Sequence, residues 1–137
     1  MSKNWVQDIE DMHVKYGTKD WVETNRNDPE KLRSYLEFRI KFIREELMET
    51  EAAFTHYDSE EIVDGLIDIC VVAIGTLDAF GVDAYKAWDE VLKANLSKEI
   101  GVKESRPNPL GLPDLVKPEG WEAPSHEGNH GKFNDIR

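Results

Sequence analysis

Two long segments with helical periodicity follow each other in this sequence, and only three residues connect them. The first begins at Asp28-Pro29, an N-cap followed by a proline in the first turn, and runs to about Thr55. The second runs from about Ser59 to Phe80, where a glycine is placed to end it. Because short connections between long helices favour antiparallel neighbours, this pair predicts a helical hairpin.

Two shorter helices are predicted on either side of the hairpin. The first covers roughly Asn4 to Tyr16, and the other runs from a cap at Asp83 to about Glu99. A polar linker containing Trp21 separates the first helix from the hairpin. Strand signals are absent, so the expected fold class is all-α, with the four helices arranged like a four-helix bundle.

The composition changes at Gly101. Five of the six prolines follow this residue, and no apolar periodicity survives there. Residues 101–137 are therefore expected to form an extended, Pro- and Gly-rich arm that belongs to the same domain as the helical residues 1–100. Trp121 and Phe133 favour an arm ordered against the body or a partner subunit, because disordered tails are poor in aromatic residues.

Charge and cysteine usage restrict the class of protein. The formal net charge of -11 repels nucleic acid and anionic membranes, so neither is an expected partner. The single cysteine, Cys70, permits no disulfide within the chain, which fits a reducing cytoplasm. The first ten residues lack the apolar core of a signal peptide, and the longest apolar stretch, Leu66 to Leu77, is too short to span a bilayer.

The apolar positions of the hairpin fall into helical stripes that are expected to build the core. The main stripes are Leu36, Ile40, Ile43 and Leu47 on the first helix, and Ile62, Leu66, Ile69, Ala73 and Leu77 on the second. A further stripe on the first helix contains Tyr35, Phe38, Phe42 and Ala53. One helix with two apolar faces has more apolar surface than a single protomer buries, which implies oligomerisation.

Six carboxylates lie along the same two helices: Glu45, Glu46 and Glu49 on the first, and Glu61, Asp64 and Asp68 on the second. On a helical wheel of about 100° per residue, the first three continue or flank the second apolar stripe of their helix. The other three share one wedge, which Gly75 extends and where it would allow close approach of another backbone. Both sets are therefore predicted to face the interior.

Carboxylates clustered in such a position require a favourable interaction that offsets the unfavourable effects of their charges. Like charges three and four residues apart repel, and apolar neighbours add a desolvation penalty. Magnesium, which prefers hard oxygen ligands and leaves positions for water and phosphate, would supply the compensation. The alternatives are a solvated acidic face, a capping role for Glu61 with Asp58, and an ion pair between Asp68 and Arg39. A di-iron site is disfavoured, because a carboxylate di-iron bundle needs two helical Glu-x-x-His motifs and Glu10-x-x-His13 is the only one within the predicted helices.

Three blocks of the chain, in this order, resemble the MazG-like all-α nucleoside triphosphate pyrophosphohydrolases. Glu45–Glu49 and Glu61–Asp64 match the pattern Glu-Glu-x-x-Glu, spacer, Glu-x-x-Asp, with a spacer of eleven residues. Val91–Lys98 resembles the Val-x-x-x-Asn-x-Ser-Lys stretch of the family. Val116–Trp121 resembles the Lys-Pro-x-Gly-Trp segment of its small phage-encoded members.

The resemblance implies a fold, a reaction and a set of site residues. A MazG-like fold would bind two or three Mg²⁺ ions, with Mn²⁺ able to substitute, and would cleave a nucleoside triphosphate to the monophosphate and pyrophosphate. The implied metal ligands are Glu46, Glu49, Glu61 and Asp64. Asp68 is implied either as a further ligand or as a residue that contacts the ligands without contacting the metal. Glu45 is implied as a ligand or general base. The implied substrate contacts are Asn95, Lys98, Lys117 and Trp121.

The resemblance also implies an assembly and a biological setting. The expected assembly is a homodimer or a dimer of dimers in the cytoplasm, which would be the host cytoplasm if the chain is phage-encoded. The substrate is expected to be a deoxynucleotide, with dGTP or dCTP favoured, and the role is adjustment of nucleotide pools. The alternatives are a dUTP- or phosphoribosyl-ATP-specific enzyme of the same superfamily and a non-enzymatic acidic helical interaction protein.

Overall fold

A computed structural model describes residues 1–106, 110 and 114–137, so residues 107–109 and 111–113 of the predicted arm lie outside the described residues. The elements are α1 (Trp5–Tyr16), α2 (Thr18–Thr24), α3 (Pro29–Thr55), α4 (Ser59–Ala79), α5 (Ala84–Leu96), β1 (Glu99–Gly101), β2 (Asp114–Val116) and a 3-10 helix (Gly131–Asp135). The all-α prediction is confirmed. The chain divides into two compact units, residues 1–84 with 128–137, and residues 85–127.

The predicted linker before the hairpin is helical, which corrects the sequence-based expectation. Gly17 ends α1 with a backbone φ of +77°, and its N–H donates to the carbonyl of His13. The chain then starts α2, which buries Val22 against Leu32 and Phe80. The polar composition of this segment concealed the single buried side chain that holds the helix against the rest of the unit.

The hairpin forms as the sequence predicts, and an aspartate caps the N-terminus of each helix. The carboxylate of Asp28 accepts a hydrogen bond from the backbone N–H of Lys31 at 3.1 Å. The carboxylate of Asp58 accepts one from the N–H of Glu61, also at 3.1 Å. These bonds satisfy backbone donors that have no partner within the first turn of a helix. Between the helices, Tyr57 turns the chain with a φ of +56°.

The helices α3 and α4 approach each other closely where Thr50 faces Gly65. A Cβ atom at position 65 would overlap the hydroxyl of Thr50, which itself donates to the carbonyl of Glu46 at 2.8 Å. Both residues are buried. Because the absence of a side chain at Gly65 permits this contact, the glycine sets the separation of the two helices.

The last ten residues return to the first unit instead of continuing as an extended arm. The ring of Phe133 stacks on that of Phe80 with 4.3 Å between centroids, and the N–H of Lys132 donates to the Phe80 carbonyl at 2.7 Å. The amide of Asn129 bonds the backbone of Asp83 in both directions, at 2.8 and 2.9 Å. Aromatic packing and backbone pairing therefore hold this segment against the end of α4.

The second unit contains α5 and a short antiparallel pair of strands, so the expectation of no strands is wrong here. Glu99 pairs with Val116, Ile100 with Leu115, and Gly101 with Asp114. Three-residue strands are too short to show an alternating pattern in the sequence. Arg106 reinforces the pair through hydrogen bonds to the carboxylate of Asp114, the shortest of them 2.7 Å.

Several positions of the predicted core stripes are exposed in the single chain, which corrects that part of the sequence analysis. Ile40 is 50% exposed, Leu47 46% and Leu66 53%. Within the first unit, the core lies instead at the other end of the hairpin, around Leu32 and Phe80. In the part of the chain that the structure describes, no single helix is long and apolar enough to cross a membrane, although α4 and α5 taken together pass the same length and composition test.

The contact between Thr50 and Gly65 leads to a stability prediction. We expect Gly65→Ala to destabilise the protein by about 1–3 kcal/mol, because the added methyl group overpacks the helix interface. Thr50→Ala should restore part of this loss in the double variant, since it removes the overlapping hydroxyl. Urea unfolding of both single variants and the double variant measures the coupling. Strictly additive effects would contradict the packing at this position.

Candidate functional site

The hairpin brings the predicted metal-binding carboxylates together from two helices. Glu46 and Glu49 lie within the turn of α3 that leads to Thr50, and Asp64 directly precedes Gly65 on α4. The close approach at Thr50 and Gly65 therefore places this part of both helices side by side. Asp68 lies one turn further along α4, on the same side as Asp64.

The electrostatics of Glu46 and Asp68 show that these charges act on one another. Burial raises the pKa of Glu46 above its usual value, and the negative charges of Asp68, Glu49, Asp64 and Glu45 raise it further, in that order. Burial also raises the pKa of Asp68, and Asp64 adds to this by its charge and by accepting a hydrogen bond from the protonated form. Charge from α4 thus reaches α3, so the two helices form one acidic cluster.

Glu61 stands apart from the rest of the predicted set. Its backbone N–H donates to the capping carboxylate of Asp58, as the alternative interpretation proposes. The reciprocal bond of a capping box does not form, because the N–H of Asp58 donates to the carbonyl of Ala53. Glu61 does not contribute to the pKa shift of either Glu46 or Asp68.

The prediction that all six carboxylates face the interior is wrong for the single chain. Glu46 and Asp68 are half-buried, whereas the other four are exposed: Glu45, Glu49, Glu61 and Asp64. The helical wheel correctly placed them beside apolar stripes, but those stripes are themselves partly exposed at this end of the hairpin. An apolar stripe on a helix is buried only where another part of the protein packs against it.

The carboxylates of this cluster fit a hard divalent cation such as Mg²⁺. All side chains of the cluster are carboxylates, and the pKa values of Glu46 and Asp68 are raised first by burial and then by the negative charge of neighbouring carboxylates. Among the described residues, no three acidic, histidine or cysteine side chains are already arranged to hold one ion.

Three of the four predicted substrate contacts meet in the second unit. The indole of Trp121 donates to the carbonyl of Ala94 at 2.8 Å, which anchors the segment after β2 on α5. The ammonium of Lys98 lies 5.3 Å from the Trp121 ring centroid and that of Lys117 lies 4.9 Å from it. The fourth, Asn95, is exposed on α5. The lysines therefore share a cation–π partner.

A cleft of about 410 Å³ lies beside this tryptophan within the second unit. Its walls include Glu90, Lys93 and Ser97 from α5, and the segment from Pro118 to Ser125 opposite. The N–H of Ser125 donates to the carboxylate of Glu90 at 3.3 Å. The segment is thus attached to α5 at two places, Trp121 and Ser125.

A buried polar cluster in the first unit was missed by the sequence analysis. His13 on α1 bonds Asp78 on α4 at 2.8 Å, and Lys19 reaches the other oxygen of Asp78 at 3.4 Å. Arg39 bonds the hydroxyl of Thr76 and a backbone carbonyl of α4, each at 3.0 Å, and the alternative of an ion pair between Arg39 and Asp68 is not observed. Gly75, at the centre of this cluster, was the one feature of the sequence analysis that indicated close packing there.

Long antiparallel helices that carry Glu-Glu-x-x-Glu and Glu-x-x-Asp define a MazG-like all-α pyrophosphohydrolase. A family model described as phosphoribosyl-ATP pyrophosphohydrolase matches residues 22–95, more than half of the chain, and the chain belongs to this family. Membership makes the protein a pyrophosphohydrolase of a nucleotide-like substrate, in a family that generally uses a divalent metal. The matched residues include all six carboxylates and Asn95 but end before Lys98. No curated protein matches the chain.

The raised pKa values lead to a pH prediction for the metal-free protein. Because folding raises the pKa of Glu46 and Asp68, the folded state binds protons more tightly than the unfolded state at these groups. Their favourable contribution is therefore fully present below the ordinary pKa values, 4.5 for Glu46 and 3.8 for Asp68, and is lost as the pH rises through the raised values. We expect Tm in the presence of EDTA to fall as the pH is raised from about 5 to 7.

The matched variants for this experiment are Glu46→Gln and Glu51→Gln. The first should flatten the fall in Tm, whereas the second changes an exposed carboxylate of α3 that acts on neither shifted group. Glu23 and Asp114 have lowered pKa values, so their own effects fall at more acidic pH. Equal slopes for Glu46→Gln and the unmodified protein would contradict the electrostatic analysis.

Proposed function

We propose that this protein is a magnesium-dependent nucleoside triphosphate pyrophosphohydrolase that releases a nucleoside monophosphate and pyrophosphate. The supporting observation is the mutual influence of Glu46, Glu49, Asp64 and Asp68, four carboxylates from two helices, inside the segment that matches the family model. Phosphate chemistry suits such a cluster, because a bound divalent cation neutralises charge on the triphosphate and activates water.

Each carboxylate has an assigned role in this proposal. Glu46, Glu49 and Asp64 hold the metal ions, and Asp68 either joins them or orients Asp64. Glu61 is included as a ligand on the sequence motif alone. Glu45 neighbours Glu46 and is exposed to solvent, which suits a general base that takes a proton from the attacking water.

Lys98 and Lys117 are proposed to contact substrate phosphates. Neither lysine forms an ion pair with a carboxylate in the described part of the chain, so both charges remain available for a phosphate. Trp121 serves here as the support that keeps the two lysines near each other, since its N–H is already bonded to Ala94. Asn95 is proposed to contact the nucleotide.

The proposed substrate is a deoxynucleoside triphosphate, with dGTP or dCTP favoured, and the role is control of nucleotide pools. A second candidate is phosphoribosyl-ATP, which the matching family model names. Both candidates contain a phosphoanhydride next to a nucleoside monophosphate, so the same carboxylates serve either reaction. A substrate panel decides between them.

The first experiment is product analysis with the eight common NTPs and dNTPs, dUTP and phosphoribosyl-ATP, each with Mg²⁺ and with Mn²⁺. Monophosphate and pyrophosphate in equal amounts are expected from the preferred triphosphate. Orthophosphate as the first product would contradict the proposed reaction. Hydrolysis in oxygen-18 water then identifies which phosphorus is attacked.

Substitutions test the role of the carboxylates. Glu49→Gln and Asp64→Asn should each lower kcat by at least about a hundredfold, because each removes a charge that holds the metal. Glu51→Gln, which changes an exposed carboxylate of α3 outside the cluster, should retain activity. Circular dichroism confirms folding of each variant. Unchanged turnover in a folded Asp64→Asn variant would show that the metal assignment is wrong.

We also propose that the protein forms a homodimer or a dimer of dimers through the exposed apolar stripes of the hairpin. Val63, Leu66 and Ile67 lie on one side of α4 and are all exposed, as are Ile40 and Leu47 on α3. These positions carry the periodicity of core helices, and covering them would remove apolar surface from water. A second copy would also increase the burial of the neighbouring carboxylates.

The assembly prediction uses Leu66→Lys, which places a charge in the proposed interface. Light scattering after size exclusion should show a multiple of the 15.8 kDa chain for the unmodified protein and a shift towards the monomer for this variant. Val14→Lys, at an exposed apolar residue of α1, is the matched control. A monomeric unmodified protein at micromolar concentration would contradict the proposal.

A further inference from the structure

We propose that the cleft beside Trp121 in the second unit binds the guanine base of a nucleotide, with Glu90 as the residue that selects this base. The proposal rests on the proposed function, because it assigns the base specificity of the same substrate. The cleft contains none of the six carboxylates, and its wall from Pro118 to Ser125 lies beyond the residues that match the family model.

The cleft has the size of a small-molecule site and a fixed wall. Its volume of about 410 Å³ falls within the range of roughly 300–1,000 Å³ that is typical of ligand pockets. The wall opposite α5 begins with a turn, in which the N–H of Trp121 donates to the carbonyl of Pro118 at 3.1 Å and Gly120 has a φ of +76°. Bonds from Trp121 and Ser125 then hold this wall against α5, so the cleft is formed without a ligand.

Glu90 supplies the group that recognises the base. It lines the cleft from α5 and is half-buried. One of its oxygens accepts the N–H of Ser125 at 3.3 Å, and its carboxylate pairs with no cation in the described part of the chain. A carboxylate offers about four acceptor positions on two oxygens and no donor. Glu90 therefore retains acceptor positions for N–H groups of a ligand.

Guanine is the nucleobase whose donors match a carboxylate. Its N1–H and N2–H₂ groups lie side by side on one edge, so both can donate to the two oxygens of one carboxylate. Cytosine and adenine present one amino group next to a ring nitrogen that accepts, and thymine and uracil present one N–H between two carbonyl acceptors. Because an acceptor opposite a carboxylate oxygen is unfavourable, these four bases form a weaker contact than guanine.

The lysines at Trp121 suit the phosphate end of the same ligand. The ammonium groups of Lys98 and Lys117 lie 5.3 Å and 4.9 Å from the centroid of the Trp121 ring, and Trp121 also lines the cleft. One aromatic residue thus connects the cleft with two cations. Glu90 repels a phosphate whereas the lysines attract it, so the charges of the site favour one orientation of a nucleotide, with its base towards Glu90.

The first experiment compares dGMP with dIMP, which lacks only the N2 amino group of guanine. Binding is measured in EDTA, so that no metal is held by the carboxylate cluster. The indole N–H signals are followed by NMR, and a spectrum of Trp121→Phe identifies the signal of Trp121. We expect saturable shifts of this signal, a dissociation constant for dGMP on the order of 1 mM and about tenfold weaker binding of dIMP. Equal affinities for the two ligands, or no saturable binding of dGMP, would overturn the proposal.

Matched variants test whether Glu90 makes this distinction. Glu90→Gln retains an oxygen that accepts the N–H of Ser125 but replaces the second acceptor by a donor, so it should bind dGMP and dIMP with nearly equal affinity. Asp89→Asn removes a neighbouring exposed charge of α5 that does not line this cleft, and it should keep the preference. Circular dichroism verifies folding, and the comparison on the unmodified protein needs no variant. A folded Glu90→Gln variant with the full preference for dGMP would contradict the proposal.

Hydrolysis assays separate this inference from the proposed function. With Mg²⁺, kcat/KM should be about tenfold higher for dGTP than for dITP in the unmodified protein and in Asp89→Asn, and similar for both substrates in Glu90→Gln. Guanine-selective binding without hydrolysis of any triphosphate would support the base site and contradict the proposed reaction. Hydrolysis with equal kcat/KM for dGTP and dITP would support the reaction and disprove the base site.

Discussion

The close packing of α3 against α4 at Thr50 and Gly65 is the contact on which the candidate site depends. It holds two acidic helix segments side by side, although their charges repel. Core packing at the far end of the hairpin, around Leu32 and Phe80, stabilises the pair against this repulsion. The site is thus assembled by contacts that lie outside it, and a divalent cation would relieve the remaining unfavourable charge.

The same helix pair carries two opposite electrostatic environments. At one end, the pKa values of Glu46 and Asp68 are raised by burial and further by the charge of neighbouring carboxylates. Two helical turns away, Arg39 is half-buried among neutral acceptors. An acidic chain therefore includes a local cationic position, and net charge alone does not describe which ligands its surface attracts.

The exposed apolar stripes connect the site to the proposed assembly. Leu47 and Leu66 lie next to the acidic segments and are about half exposed in the single chain. Covering them with a second copy would lower the local dielectric constant and strengthen both the repulsion between carboxylates and their attraction to a metal ion. Assembly and metal binding would then support each other.

The sequence by itself determined the hairpin, its aspartate caps and the acidic motif, because periodicity, capping and spacing are local properties. It predicted Glu46, Glu49, Glu61, Asp64 and Asp68 as a metal-binding set, but it could not show which of these charges act on Glu46 and Asp68 in the folded chain. Only the tertiary structure placed the last ten residues on Phe80, paired the two short strands and joined His13 to Asp78. Such contacts join residues far apart in the chain, and no local pattern encodes which distant partner covers a given side chain.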